Sequence, residues 1–374
     1  MKFTVETNEL QKALSKINGA IPSKSTLPIL ENVLVTLEAN KLTLTATDLE
    51  LSMSAILEVR GSEDGTITVP AKKVMDTLRA MPNQQLVFTA DTNTNKIKMI
   101  TENGEYNLIG EASKEYPSIP EFRGENSITV SNEVMKSMIS KAIFAVSVDE
   151  LRPAMTGLLF QFRESEIRSV ATDGHRLVRI IYKDILEGGK SKLSKDVIIP
   201  SKALGLVLKV AEEEKTTIML NSTHVRFDFK NLTLTSRLIE EAYPNYESVI
   251  PLDNDKKLQI NREELLSAIK RVALYSSTNT HQIRMSLKKN EVKISAEDID
   301  FGGEARERLT CVYGSEEMEV GFNALYLMDI LSHLESDEVL FYFNSPVKAV
   351  VVTQAKTKEK EDVLMLVMPM RLNV

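Results

Sequence analysis

Apolar residues fall at helical spacing in six places along the chain, and the six form three pairs. Leu10, Ala13, Leu14 and Ile17 share one face of a predicted helix, Val134, Met138 and Ala142 one face of another, and Leu265, Ala268, Ile269 and Val272 one face of a third. These are the i, i+3, i+4 and i+7 positions of an amphipathic helix. Each run opens on asparagine (Asn8, Asn132, Asn261), and Asn261 with Glu264 has the spacing of a capping box. A second helix recurs in each third, with apolar positions Val74/Leu78/Met81, Leu204/Leu208/Ala211 and Leu327/Leu331/Leu334. Pro70 and Pro200 stand at the start of the first two, where a helix needs no amide, and Asn323 is the candidate N-cap of the third.

Strand-like runs separate the two helices of each third: Val33–Leu37 with Leu42–Ala46, Leu158–Phe162 with Ile167–Ala171, and Met285–Leu287 with Val292–Ala296, joined by polar turns. More hairpins follow each second helix, as in Leu86–Ala90 with Ile97–Thr101, Ile218–Leu220 with Val225–Phe229, and Val339–Phe343 with Ala349–Thr353. Tyr116-Pro117 and Tyr243-Pro244 close the first two thirds, and Met368-Pro369 sits in the matching place of the last. The 374 residues thus read as three tandem copies of one helix–strands–helix–strands unit of roughly 125 residues, each the size of a full domain. Polar, turn-rich stretches place the boundaries near Arg123-Gly124-Glu125 and Asp253-Asn254-Asp255, giving domains 1–124, 125–254 and 255–374. Hairpins with two helices per unit predict antiparallel sheet and an α+β class.

Composition narrows the class of function. Apolar residues at 43% and charged residues at 26% predict a globular chain, and no run approaches the ~18 apolar residues of a membrane span. The start, Met1-Lys2-Phe3-Thr4-Val5, lacks the apolar segment of a signal peptide, so a cytoplasmic protein is expected. One cysteine, Cys311, and four scattered histidines supply neither a disulfide nor a metal-ligand cluster. The net charge of −7 argues against nucleic acid until its distribution is considered. The six predicted helices sum to +6, which leaves −13 for the rest of the chain. Helices turned to a common side would form a sequence-blind phosphate-binding surface; alternatively, lysine and arginine are simply good residues for solvated helix faces.

The amino-terminal Met1-Lys2-Phe3-Thr4-Val5, Thr26-Leu27-Pro28-Ile29-Leu30, Ala171-Thr172-Asp173-Gly174-His175-Arg176-Leu177 and the terminal Val367-Met368-Pro369-Met370-Arg371-Leu372, in order within a threefold repeat, resemble the bacterial DNA polymerase III beta subunits, the sliding clamps. The resemblance spans the whole chain. It implies the DNA clamp fold, with a head-to-tail homodimer closed into a ring, helices lining a hole for duplex DNA and antiparallel sheets outside. It implies no catalytic residue, cofactor or metal, and partners that include sequence-independent double-stranded DNA, the replicative polymerase, the clamp loader, and repair and translesion polymerases. Carried over by position, it implies DNA contacts at Lys24, Lys72, Lys73, Arg79, Arg152 and Lys202. It implies a peptide-binding pocket from Met155, Thr172, Gly174, His175, Arg176 and Leu177, with Pro244 and Val249, and with Val367, Met368, Pro369, Met370 and Arg371 from the tail. Methionine, proline and leucine suit an adaptable apolar pocket, and Arg176 and Arg371 are placed to meet peptide carbonyls or carboxylates. Glu247-Ser248 departs from relatives that are basic at that rim. For the dimer contact it implies Tyr106 and Leu108 with Leu274 and Tyr275, and Lys96 and Lys98 opposite Glu297, Asp298, Asp300 and Glu304.

Two other readings compete. A carboxylate and Mg²⁺-dependent nucleotidyl-transfer or nuclease enzyme would use Asp48, Asp173 and Glu297, but these fall one per repeat and a two-metal site needs its carboxylates on a shared ion pair. A peptide-binding scaffold without DNA leaves the basic helices unused.

Overall fold

The computed structural model describes the chain apart from residues 120–121, 123–125, 185–193, 213, 299–301 and 373–374. Six α-helices occur among the described residues: α1 (Thr7–Ile17), α2 (Ala71–Arg79), α3 (Asn132–Ser140), α4 (Ser201–Val210), α5 (Arg262–Ala273) and α6 (Ala324–Ser332). The spacing predicts the buried faces of α1 (Leu10, Ala13, Leu14, Ile17), α5 (Leu265, Ala268, Ile269, Val272) and α6 (Leu327, Leu331), whereas α3 buries Met135, Met138 and Ile139 in place of Val134, and Leu208 of α4 and Met81 beyond α2 are half-buried. The caps differ in detail. Asn261 Oδ1 accepts from Glu264 N at 3.0 Å, and Asn323 Oδ1 from Leu325 N at 2.9 Å, as N-caps do. Asn8, by contrast, lies within α1, and Asn132 is the first residue of α3, where its amide oxygen accepts from Thr216. Pro70 takes the N-cap position, one residue earlier than a first-turn proline.

The strands form four antiparallel sheets, shared between two compact units. The first unit, Met1–Asn132 with Lys202–Leu238, holds a five-stranded sheet running Arg60–Glu63, Lys2–Glu6, Gln85–Asp91, Lys96–Ile100, Glu105–Ile109. It also holds an eight-stranded sheet in the order Asn126–Ser131, Lys215–Leu220, His224–Asp228, Leu232–Arg237, Leu51–Glu58, Lys41–Thr47, Asn32–Glu38, Gly65–Pro70. The second unit, Glu133–Ser201 with Ile239–Val374, holds a nine-stranded sheet. Its order is Lys195–Pro200, Gly157–Phe162, Glu166–Thr172, Arg176–Lys183, Glu361–Val367, Val350–Gln354, Glu338–Phe343, Lys256–Asn261, Val312–Tyr313. A four-stranded sheet of Gly303–Thr310, Glu291–Asp298, Gln282–Lys288 and Met318–Asn323 completes it.

The large sheets run across repeat boundaries. Leu51–Glu58 of the first repeat pairs with Leu232–Arg237 of the second, in the register Leu234↔Met53, and Arg176–Lys183 of the second pairs with Glu361–Val367 of the third, in the register Ile180↔Val363. The middle repeat therefore contributes one sheet to each compact unit, which is why three repeats give two units. Equivalent anchors hold each closing Tyr-Pro segment: Tyr116 OH donates to Thr45 O and Tyr243 OH to Val170 O, both at 3.4 Å. Burial pushes the Tyr116 phenol up to about 12.

One expected surface cation is interior. Lys141 lies just past α3, is 3% exposed, and sets its ammonium 2.6 Å from the carboxylate of Glu361 in the second unit. Tyr182 and Ser137 donate to the same oxygen at 2.6 and 3.2 Å, and Glu335 lies 3.3 Å from the ammonium. Lys141 thus adds nothing to a basic helix surface. Since a buried charge stripped of its partner is costly, Lys141→Ala should destabilise the protein by about 3–5 kcal/mol in urea denaturation, and Lys141→Met with Glu361→Leu should recover most of that loss.

Candidate functional site

The second unit brings its site together at the joint between the second and third repeats. Residues 173–175 form the turn between Glu166–Thr172 and Arg176–Lys183, and short polar side chains build it. Thr172 Oγ1 donates to Arg176 O at 2.7 Å and accepts from Gly174 N at 3.1 Å. Asp173 Oδ1 accepts from His175 N and Arg176 N at 2.8 and 2.9 Å, an Asx-type turn. Gly174 takes φ +90°, which suits a residue without a Cβ.

The cross-repeat ladder delivers the tail to this turn. Arg176 pairs with Val367, and Met368 N donates to His175 O at 2.8 Å, extending the ladder one residue. Farther on, Met370 N donates to Gly321 O at 2.8 Å, and a Cβ on Gly321 would meet Met370 O at 2.6 Å, so only glycine admits the tail there. Met155, Thr172, Leu177 and Val367 are buried, Leu177 and Val367 on opposite faces of the sheet, while Pro244, Val249 and Met368 are exposed. Beneath lies a cluster of Leu159, Val170, Leu177, Ile198 and Leu366, with Tyr243, Ile250 and Leu364 partly open above it. Burial raises the pKa of the Tyr243 hydroxyl, which therefore stays a neutral donor. Met370, Arg371 and Leu372 also line a 410 Å³ groove with Gly321, Pro346 and Val347.

Arg176 departs from the expected role. Its Nε donates to Asp173 Oδ2 at 3.0 Å, one terminal nitrogen contacts Asp329 of α6, and the other donates to Phe144 O at 2.7 Å. The guanidinium lies 5.1 and 4.8 Å from the ring centres of Phe144 and Tyr326, and His175 stacks on Tyr326 at 5.9 Å. So occupied, Arg176 fixes the turn and ties it to α6, while Arg152 and Arg371 are exposed. Asp329, Phe144 and Tyr326 were not singled out in the sequence; the one trace of Asp329 is that, of the six predicted helices, the last alone has net negative charge.

The other candidates are dispersed. Lys24 is exposed between two single-turn helices, Lys72, Lys73 and Arg79 are exposed on α2, and Lys202 is exposed at the start of α4. Three have internal partners: Arg79 lies 3.7 Å from Asp76, Arg152 lies 2.8 Å from Asp149, and Lys202 contacts Asp48. Tyr106 and Leu108 lie on Glu105–Ile109, the last strand of the five-stranded sheet, where Ile109 is 73% exposed. Leu274 and Tyr275 follow α5 and are exposed. The expected charge complement is partly consumed within the chain: Lys98 lies 2.9 Å from Glu105, Glu304 contacts Arg306, Asp298 is buried, and Asp300 lies outside the described residues. Asp48 and Asp173 share one task, each accepting two backbone amides within its own turn.

Because φ +90° disfavours any Cβ and a Cβ at Gly174 would sit 3.3 Å from the Arg152 guanidinium, Gly174→Ala should cost about 1–2 kcal/mol by urea denaturation, with the loss carried by the turn.

Three family models match in succession: the N-terminal domain of the DNA polymerase III beta subunit at residues 1–120, its central domain at 129–245 and its C-terminal domain at 247–371. The chain is 30% identical to the beta sliding clamp of Vibrio cholerae and 31% identical to that of Escherichia coli strain K12, covering all of both proteins. A crystal structure of the DNA polymerase sliding clamp from Pseudomonas aeruginosa superposes with a TM-score of 0.93 at 29% identity, over the full length of each chain. With three tandem clamp domains of α+β class and full-length likeness to its relatives, the chain belongs to the DNA polymerase III beta subunit family, the beta sliding clamps.

Proposed function

We infer that this chain is a non-catalytic processivity factor that closes with a second copy, head to tail, around duplex DNA. Sheet edges carry this reading. At both joints within the chain the outermost strand of one repeat's sheet meets the outermost strand of the next repeat's sheet, as Leu51–Glu58 does with Leu232–Arg237 and Arg176–Lys183 with Glu361–Val367. The same rule leaves Glu105–Ile109 at one sheet edge and Gly303–Thr310 at another. Pairing these between two copies supplies the third kind of joint, repeats the geometry of the first two, and removes open edges that invite aggregation. Tyr106, Leu108, Leu274 and Tyr275 are the apolar residues of that contact, and domains 1–124, 125–254 and 255–374 are its building blocks. No helix among the described residues is long and apolar enough to cross a membrane, and a cytoplasmic location agrees with a DNA partner.

Lys24, Lys72, Lys73, Arg79, Arg152 and Lys202 serve as weak phosphate contacts, and the pocket of Thr172, Leu177, Met368 and their neighbours receives peptides of the polymerase, the clamp loader and repair and translesion polymerases. A clamp held by topology needs contacts that do not arrest sliding. Loaded on nicked circular DNA, the protein should stay bound at moderate salt and be released when the circle is linearised; equal loss from both forms rules out encirclement. Replacing Tyr106 with Glu and Leu108 with Asp should convert a dimer into a 41.9 kDa monomer in analytical ultracentrifugation, with the far-UV spectrum unchanged.

A further inference from the structure

The first unit contains a second cleft at the matching joint between the first and second repeats. Its turn copies the one at 172–176: Thr47 Oγ1 donates to Leu51 O at 2.8 Å and accepts from Leu49 N at 3.1 Å, and Asp48 Oδ1 accepts from Glu50 N and Leu51 N at 3.1 and 2.7 Å. Leu49, Leu51, Pro117, Ile119 and Phe122 give the cleft an apolar lining, with Asn221 and His224 of the second repeat across from them. Pro117 corresponds to Pro244, since the tyrosines before them anchor at equivalent carbonyls.

Leu49 distinguishes this turn. It takes φ +82°, where Gly174 takes +90°, and its side chain is 55% exposed. A branched residue held in the left-handed region is strained, and burial within the chain does not offset that strain here. An exposed leucine at the mouth of an apolar cleft is what a docking partner would cover.

Charge defines the partner. Among the described residues lining the cleft, Glu50 alone carries a formal charge. Its nearest cation, Arg237, lies 3.7 Å away with both side chains more than half exposed, so the carboxylate remains available. The corresponding turn of the second unit has His175 in Glu50's place and Arg176 in that of Leu51. We propose that this cleft is a second peptide-docking site, taking an extended segment whose apolar anchor packs on Leu49 and Phe122 and whose adjacent lysine or arginine pairs with Glu50. The inference rests on the reading of the second-unit pocket as a peptide site.

Two hexapeptides test it, Gly-Lys-Leu-Phe-Lys-Gly and Gly-Glu-Leu-Phe-Glu-Gly, each capped at both ends, labelled with fluorescein and carrying a photoreactive diazirine on the leucine. With the full-length protein, the lysine peptide should cross-link within residues 47–52, within 117–119 or at Phe122. Leu49→Gly, which relieves the backbone, should weaken its binding about tenfold without lowering Tm. Glu50→Lys should transfer the preference to the glutamate peptide. Absence of cross-links in those segments, or unchanged binding by Leu49→Gly, overturns the proposal. A variant ending at Pro369 should lose only the cross-links at residues 155–177 and 366–369. If the full-length protein gives none there with either peptide, the reading on which the proposal rests fails separately.

Discussion

Edge-strand pairing is the constraint from which the rest of the molecule follows. A clamp repeat is two small sheets under two helices, and each sheet ends on a strand with unpaired backbone donors and acceptors. Joining Leu51–Glu58 to Leu232–Arg237 and Arg176–Lys183 to Glu361–Val367 satisfies those groups and makes continuous eight- and nine-stranded sheets from separate repeats. The functional geometry is a consequence of that join. Because Arg176 pairs with Val367, the turn before Arg176 must lie beside the tail after Val367. Because Leu51 pairs with Ser236, and Arg237 N then donates to Glu50 O at 2.9 Å, the turn before Leu51 must lie beside the second repeat.

Electrostatics refines this frame. Net charge on a helix overstates the field it presents, because several cations are already paired. Lys141 is buried against Glu361, Lys202 contacts Asp48, and Arg152 is held by Asp149, whereas Lys72 and Lys73 have no ion-pair partner among the described residues. Exposed pairs contribute little to stability, yet they lower the net charge the surface presents. A cationic surface moderated in this way suits sliding, which needs attraction without residence.

The sequence made the repeats legible because helix faces and the central hairpins carry strong periodicity. It left one edge strand and one joint strand without a clear periodic signal. Gly303–Thr310 reads Gly-Glu-Ala-Arg-Glu-Arg-Leu-Thr and buries none of its residues fully, so it has no apolar alternation to detect. Arg176–Lys183 fails for the opposite reason, since the run Arg-Leu-Val-Arg-Ile-Ile-Tyr-Lys mixes buried and half-buried positions on both faces. In the site, the role of Arg176 was not readable. Its partners Asp329 and Phe144 lie 153 and 32 residues away, a tertiary fact without local signal.

The two turns show how one backbone design supports two chemistries. Thr47-Asp48 and Thr172-Asp173 saturate the same amides with the same side-chain oxygens, so the peptide geometry is set before the third residue is chosen. The three positions that follow are then free to specify the rim. Gly174-His175-Arg176 turns its guanidinium inward to lock α6 and leaves Arg371 outside, and Leu49-Glu50-Leu51 keeps an apolar residue and a carboxylate exposed. Strain follows the same division: glycine takes positive φ without penalty, while leucine takes it at a cost that the turn's own hydrogen bonds hold in place. A shared turn whose exposed residues differ is an arrangement that discrimination between two classes of peptide can use.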